Sequence, residues 1–251
     1  MRCPSRAVTG SLIAALVAVS VCATVAAMER SDEATPPARI DRLRMAADAG
    51  RDDDALRALL SIGQTGNANA QRAAGETLLR RGDAASVERG LGWLHRAAVQ
   101  GDAEAALSLG RAALSDLAVA PRNDARARGW FQQAYASSVT RARAAHYLGL
   151  LFRTSDAPQA AHYFREAAEH GIAEAMYQLG NAYAAGEGVD HDPREAMRWY
   201  LRAASLEHPA AIQEVAHAFA RGDAFLPQSD YQAVQMRLAM EHALRHPRAA
   251  P

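Results

Sequence analysis

The sequence predicts an all-α protein, a solenoid of stacked antiparallel helix pairs, on three observations. The three tryptophans Trp93, Trp130 and Trp199 share one register with Tyr163 and Met236, at spacings of 37, 33, 36 and 37 residues. A second column of similar period runs beside it: Ala74-Gly75, Leu109-Gly110, Leu148-Gly149, Leu179-Gly180 and Val215-Ala216. Two parallel columns of one period define a tandem repeat. The third observation is composition. With 49% hydrophobic and 22% charged residues the chain is of the folded kind, and an apolar fraction carried by alanine and leucine, with 6% aromatics, favours helices over strands.

From the N-terminus, residues 1–27 have the layout of an export signal: Arg2 and Arg6, then an uncharged apolar run from Leu12 to Ala27 that ends in the small residues Val25-Ala26-Ala27. Cleavage after Ala27, and a periplasmic or secreted product, is the expectation. The run of 16 residues falls short of the roughly 20 that span a bilayer. A retained anchor is the competing reading, and contact with the membrane depends on it. Lipidation at Cys22 fits badly, because Val21 stands where a small residue is needed. Cys3 is the other cysteine, so a chain cut after Ala27 has none and must hold its fold by packing in an oxidising compartment.

Residues 28–37, with Ser31, Asp32, Glu33, Pro36 and Pro37, read as a flexible spacer. Residues 38–66 read as a divergent helical pair that caps the solenoid: Ala55, Leu59 and Ile62 continue an apolar face, and Gly66 stands where Gly101 and Gly171 stand in later units. About five tandem units fill residues 67–245, and 246–251 read as a disordered tail.

The clearest unit shows why each repeat is two helices. Ala173, Ala175, Met176, Leu179 and Tyr183 lie on one helical face, and Ala196, Trp199, Tyr200 and Ala203 lie on another. Gly186 and Gly188 can end the first helix. Asp192 at the N-cap, Pro193 at the first helical position and Glu195 two residues on signal the start of the second. Ser229 and Gln232 form a similar box in the last unit. Glycine costs about 1 kcal/mol relative to alanine inside a helix, so a glycine column implies helices in close approach, with the aromatic of the second helix beside each glycine. Such short pairs cannot bury their apolar faces alone and must stack.

The stretch from Ala173 to Val189, followed by Asp192, Ala196, Trp199, Tyr200, Ala203 and Ala204, resembles the Sel-one-like repeat nearly position for position. This resemblance covers roughly 175 of the 251 residues and weakens in the outer units. It implies a right-handed superhelix, a role as adaptor or scaffold, and no reaction. In the related tetratricopeptide repeats the second, fifth and ninth positions of each first helix face the concave groove where partners bind. Transferred here, the groove is lined by Asn69, Arg72 and Glu76; Glu104, Leu107 and Arg111; Arg143, His146 and Leu150; Glu174, Tyr177 and Asn181; and Ala210, Gln213 and His217. Arg143, His146, Tyr177 and Asn181 are the expected centre of a peptide-binding surface, flanked by Glu174, Arg111 and Glu104.

Other chemistries find little support in the residues. All 28 basic residues are arginine, and the part beyond the leader, which loses Arg2 and Arg6 but keeps all 28 acids, carries formal charge −2. That balance argues against a nucleic-acid partner. His242 and His246 have ligand spacing, but two histidines beside a terminal proline read as a helix end and imply no metal. No nucleophile elbow or phosphate loop stands out, and neither an enzyme nor a cofactor is implied. The expected function is an exported scaffold that binds a protein or peptide partner in the cell envelope. The alternative is an accessory protein or hydrolase in cell-wall or exopolysaccharide metabolism, which would need paired carboxylates in a cleft.

Overall fold

A computed structural model describes residues 36–49, 52–117, 119–222 and 235. The leader, most of the spacer, the second half of the fifth unit with Ser229, Gln232, Met236 and His242, and the tail with His246 lie outside the described residues.

Eleven helices and no strand occur among the described residues, and consecutive helices pack as pairs, in agreement with the all-α expectation. Helices α1 (Pro37–Ala49) and α2 (Asp53–Gln64) occupy the segment read as a cap, with Pro37, assigned to the spacer, already helical. Four pairs follow: α3 (Ala68–Arg81) with α4 (Ala84–Val99), α5 (Ala103–Leu114) with α6 (Asp124–Tyr135), α7 (Arg141–Phe152) with α8 (Ala157–Glu169), and α9 (Ala173–Ala185) with α10 (Pro193–Ser205). Helix α11 (Pro209–Arg221) is the first helix of the fifth unit.

Seven of the described helices start at an Asp or Asn side-chain acceptor, whereas Thr140 before α7 and Ile172 before α9 make no such bond. Asp52, Asn67, Asp83, Asp102, Asn123, Asp156 and Asp192 each accept an amide N–H from the first turn, satisfying donors that have no partner within the helix. At α10 the box is one-sided. Asp192 accepts from Arg194 and Glu195, whereas the Glu195 carboxylate pairs with Arg198 at 3.0 Å instead of reaching back. Between units the chain turns through a left-handed residue: Gly66, Gly101 and Gly171 have φ of 96°, 93° and 91°, and Glu207 takes the same place with φ of 62°. The third unit turns without glycine. There the buried Thr140 hydroxyl donates to the Ala134 carbonyl, and Arg141 Nε donates to the Tyr135 carbonyl.

The glycine column marks close approach of paired helices, but the filling side chain differs from the expectation. A Cβ on Gly110 would lie 2.5 Å from Phe131, one on Gly149 2.6 Å from Phe164, and one on Gly180 2.6 Å from Tyr200. Each of these rings sits one residue after the tryptophan column. In the first unit Leu94 has that role, and Gly75 meets Gly90 backbone to backbone. The tryptophan column faces the preceding unit: Trp93 packs beside Gly63 of α2, Trp130 meets His95 of α4 edge-on at 5.6 Å, and Tyr163 meets Tyr135 of α6 at 5.6 Å. The reason is angular. Successive residues of a helix point about 100° apart, so one column serves the partner helix and its neighbour serves the next pair.

Candidate functional site

The first helices α3, α5, α7, α9 and α11 carry the positions expected to line the groove, and side chains from successive units touch there. Arg143 of α7 grips Glu104 of α5 through both terminal guanidinium nitrogens. Arg72 of α3 donates to Asp102, the N-cap of α5, at 3.1 Å, and Ser108 of α5 donates to Glu76 of α3 at 3.2 Å. His208, the N-cap of α11, lies 2.8 Å from Glu174 of α9. These contacts join α3 to α5, α5 to α7, and α9 to the start of α11. They also leave the face close to charge balance, since guanidinium and carboxylate alternate along it.

Around Glu174 the bonding is specific. His208 Nδ1 accepts the Ala211 amide N–H, so Nε2 carries the proton and donates to Glu174, whose other oxygen accepts from Gln178 at 2.7 Å. The His208 bond, helped by Gln178 and the nearby histidines, outweighs partial burial and holds the Glu174 carboxyl at about 2. His146 is pushed the other way on the scale of charge: burial lowers its pKa below 6.5 and favours neutral imidazole. Its Nδ1 is buried without a partner, and its ring leans against Tyr147 and Phe164. Tyr177 stacks on His208 with ring centres 4.8 Å apart. Asn181 accepts the Tyr200 hydroxyl at 2.7 Å, so it is tied to the ring that fills the space beside Gly180. Arg111 is exposed, whereas Leu107, also expected in the groove, is buried in the core between α5 and its neighbours.

A notch of about 380 Å³ opens on this face between α3, α5 and the turn before α7, lined by Asn69, Arg72, Asp102, Glu104, Val139 and Thr140. Val139 is 73% exposed at its rim and supplies an apolar contact among polar ones. The roles of His208 and Asp102 escaped the sequence reading because both precede their helices, outside the second, fifth and ninth positions. The packing column Leu94, Phe131, Phe164 and Tyr200 was missed, although its repetition one residue after the tryptophan column is a signal in the sequence.

Acid should loosen these clamps. Glu174 has a folded pKa below its ordinary 4.5, so the stability it adds is fully present above that pH and is lost as pH falls towards about 2. His146 titrates below its ordinary 6.5 when folded, so the unfolded chain binds that proton first and stability also declines as pH falls through 6.5. Melting temperature measured from pH 8 to 3 is expected to fall in both windows. His146→Phe should flatten the upper one. Glu174→Gln should remove on the order of 1 kcal/mol of the lower one, a figure reduced for solvent screening of a partly exposed group.

No three of His, Cys, Asp and Glu converge to hold a metal among the described residues, and no described helix is long and apolar enough to cross a membrane. Stacked antiparallel helix pairs define a helical-repeat protein of the kind that mediates protein interactions. The chain belongs to the Sel1 repeat family, with repeats at residues 68–102, 103–139, 142–172 and 173–208, more than half of its length. Each repeat spans one pair from α3–α4 to α9–α10.

Solved structures agree on the fold. A Sel1 repeat protein from Oxalobacter formigenes superposes with a TM-score of 0.71 at 24% identity, over 84% of this chain and 90% of that one. The protective antigen c5321 of uropathogenic Escherichia coli, which displays an SLR fold, superposes with a TM-score of 0.67 at 24% identity, over 75% of this chain and 41% of that one. In sequence, an exopolysaccharide production negative regulator of Rhizobium leguminosarum bv. viciae is 38% identical over 50 residues, 20% of this chain. The match spans 19% of that regulator's length.

Proposed function

We propose that this protein is an exported scaffold whose first-helix face holds an extended segment of a protein partner in the cell envelope. One observation carries the reading: polar side chains of neighbouring first helices touch between α3 and α5, α5 and α7, and α9 and α11, beside an open notch between α3, α5 and the turn before α7. Extended ligands suit such a surface, because a repeat presents equivalent positions at regular intervals. The export-signal layout of residues 1–27 supports the location. Partner binding would exchange some of the internal clamps, such as Arg143 with Glu104, for contacts to the partner.

Crosslinking in intact cells, followed by purification from the envelope, tests this. Tyr177→Ala combined with Arg143→Ala is expected to reduce partner recovery at least about tenfold, the scale of a lost interfacial aromatic and charged contact. Unchanged recovery with a folded variant overturns the groove assignment. Mass spectrometry of the mature N-terminus decides whether the chain begins after Ala27.

A second reading is favoured by the regulator from Rhizobium: an accessory role in exopolysaccharide production. It predicts altered exopolymer yield on gene deletion, with restoration by the wild type and failure of restoration by the groove variant.

A further inference from the structure

A different cavity opens on the side of the second helices. It has a volume of about 550 Å³ and lies between α4 and α6, over the C-terminal half of α5. Its walls are apolar: Leu91 from α4, Leu109 and Ala112 from α5, Trp130 from α6, and Pro121 from the loop at 115–123. That connection is the longest within a described pair, and its residues Ala120 and Pro121 stand at the cavity's rim. The polar groups around it are mostly spent. Gln133 donates to the Ala98 carbonyl at 2.6 Å, His95 lies edge-on to Trp130, and Asp124 is held by Arg122 at 2.8 Å. Arg126 lines the cavity and has no acidic partner among the described residues.

Gly129 keeps the space open. It lies mid-helix on the exposed side of α6 and lines the cavity, and an added Cβ there would meet nothing within 4 Å. Gly110, Gly149 and Gly180 are required by packing, but Gly129 gives up about 1 kcal/mol of helix propensity with no packing reason. Gly92 is equally open in α4, but only Gly82 and Asp83 join α3 to α4, so no rim forms there.

We propose that this cavity binds a free medium-chain aliphatic carboxylate, with its chain against Leu91, Leu109 and Trp130 and its head on Arg126. An apolar cleft of several hundred Å³ with one exposed arginine at its edge suits a ligand with an apolar body and a single negative charge. A guanidinium takes a carboxylate in a bidentate fork, and the Coulomb attraction is strengthened beside the low-dielectric wall. The site is separate from the first-helix face, so it stands or falls independently of the groove reading.

Calorimetric titration of the full protein with sodium decanoate, below its micelle concentration, tests the proposal, with decyltrimethylammonium of the same chain length as control. Saturable 1:1 binding of decanoate is expected, accompanied by a shift of the Trp130 indole N–H resonance and little binding of the cationic control. Arg126→Gln should weaken binding roughly tenfold, as loss of a charged hydrogen bond does. Gly129→Leu should abolish binding by filling the cavity while raising the melting temperature, since leucine is the better helix former. Partner recovery through the first-helix face should be unaffected by either variant. Absence of decanoate binding, equal binding of the cationic amphiphile, or binding that survives both substitutions overturns the proposal.

Discussion

Phe131→Ala is expected to lower the unfolding free energy by about 3–5 kcal/mol, the range for deleting a buried aromatic ring. Phe131 is fully buried, lies against Gly110 on α5 and stacks on Tyr147 of α7 at 4.7 Å, so one ring joins two units. Its neighbour Trp130 is larger, but part of its indole borders the open cavity between α4 and α6. Trp130→Ala should therefore cost less, despite removing more atoms. Urea unfolding of the two variants measures the difference. A larger loss for Trp130→Ala would mean that the solenoid is held mainly between units, through the tryptophan column, and not within the pairs.

Gly188→Ala is expected to be the most damaging single-methyl change in the protein, at about 2–5 kcal/mol. Two costs add. Gly188 has φ of 73°, a left-handed conformation that costs a residue with a Cβ roughly 1–2 kcal/mol. The added Cβ would also lie 2.1 Å from the carbonyl oxygen of Ala157, backbone that cannot rotate away, and overpacking of this kind adds about 1–3 kcal/mol. Ala157 begins α8, so the turn between α9 and α10 is pressed against the preceding unit. Gly186→Ala is the control: it shares the left-handed φ, at 71°, but its Cβ would find only His191 at 3.3 Å. Thermal melts should rank Gly188→Ala well below Gly186→Ala. Equal losses would show that backbone strain alone matters and that the contact between units yields.

Most of the fold was legible because its signals are local or periodic. The cap at Asp192, the turn glycines 101 and 171, and the glycine column each act within a turn or a helix pair, and a repeat states the same requirement several times. The division of labour between adjacent columns was not legible. Trp130 and Phe131 are both large and apolar, and only the rotation of α6 about its axis decides which ring meets Gly110.

The candidate groove divides in the same way. Membership of one face followed from helical spacing, so Glu104, Arg143, Glu174 and Tyr177 were named from sequence. Their partners were not, because Arg143 with Glu104 and Glu174 with His208 join residues 39 and 34 positions apart across a stacking interface. The sequence by itself determined the repeat, the helix ends and the face on which the first helices align, since these depend on residue type and spacing along the chain. Only the tertiary structure decided which charges neutralise one another and where an unpaired arginine and an open glycine were left beside a cavity. Those outcomes depend on the rise and rotation from one unit to the next, set by the summed packing of all the pairs and written in no single residue.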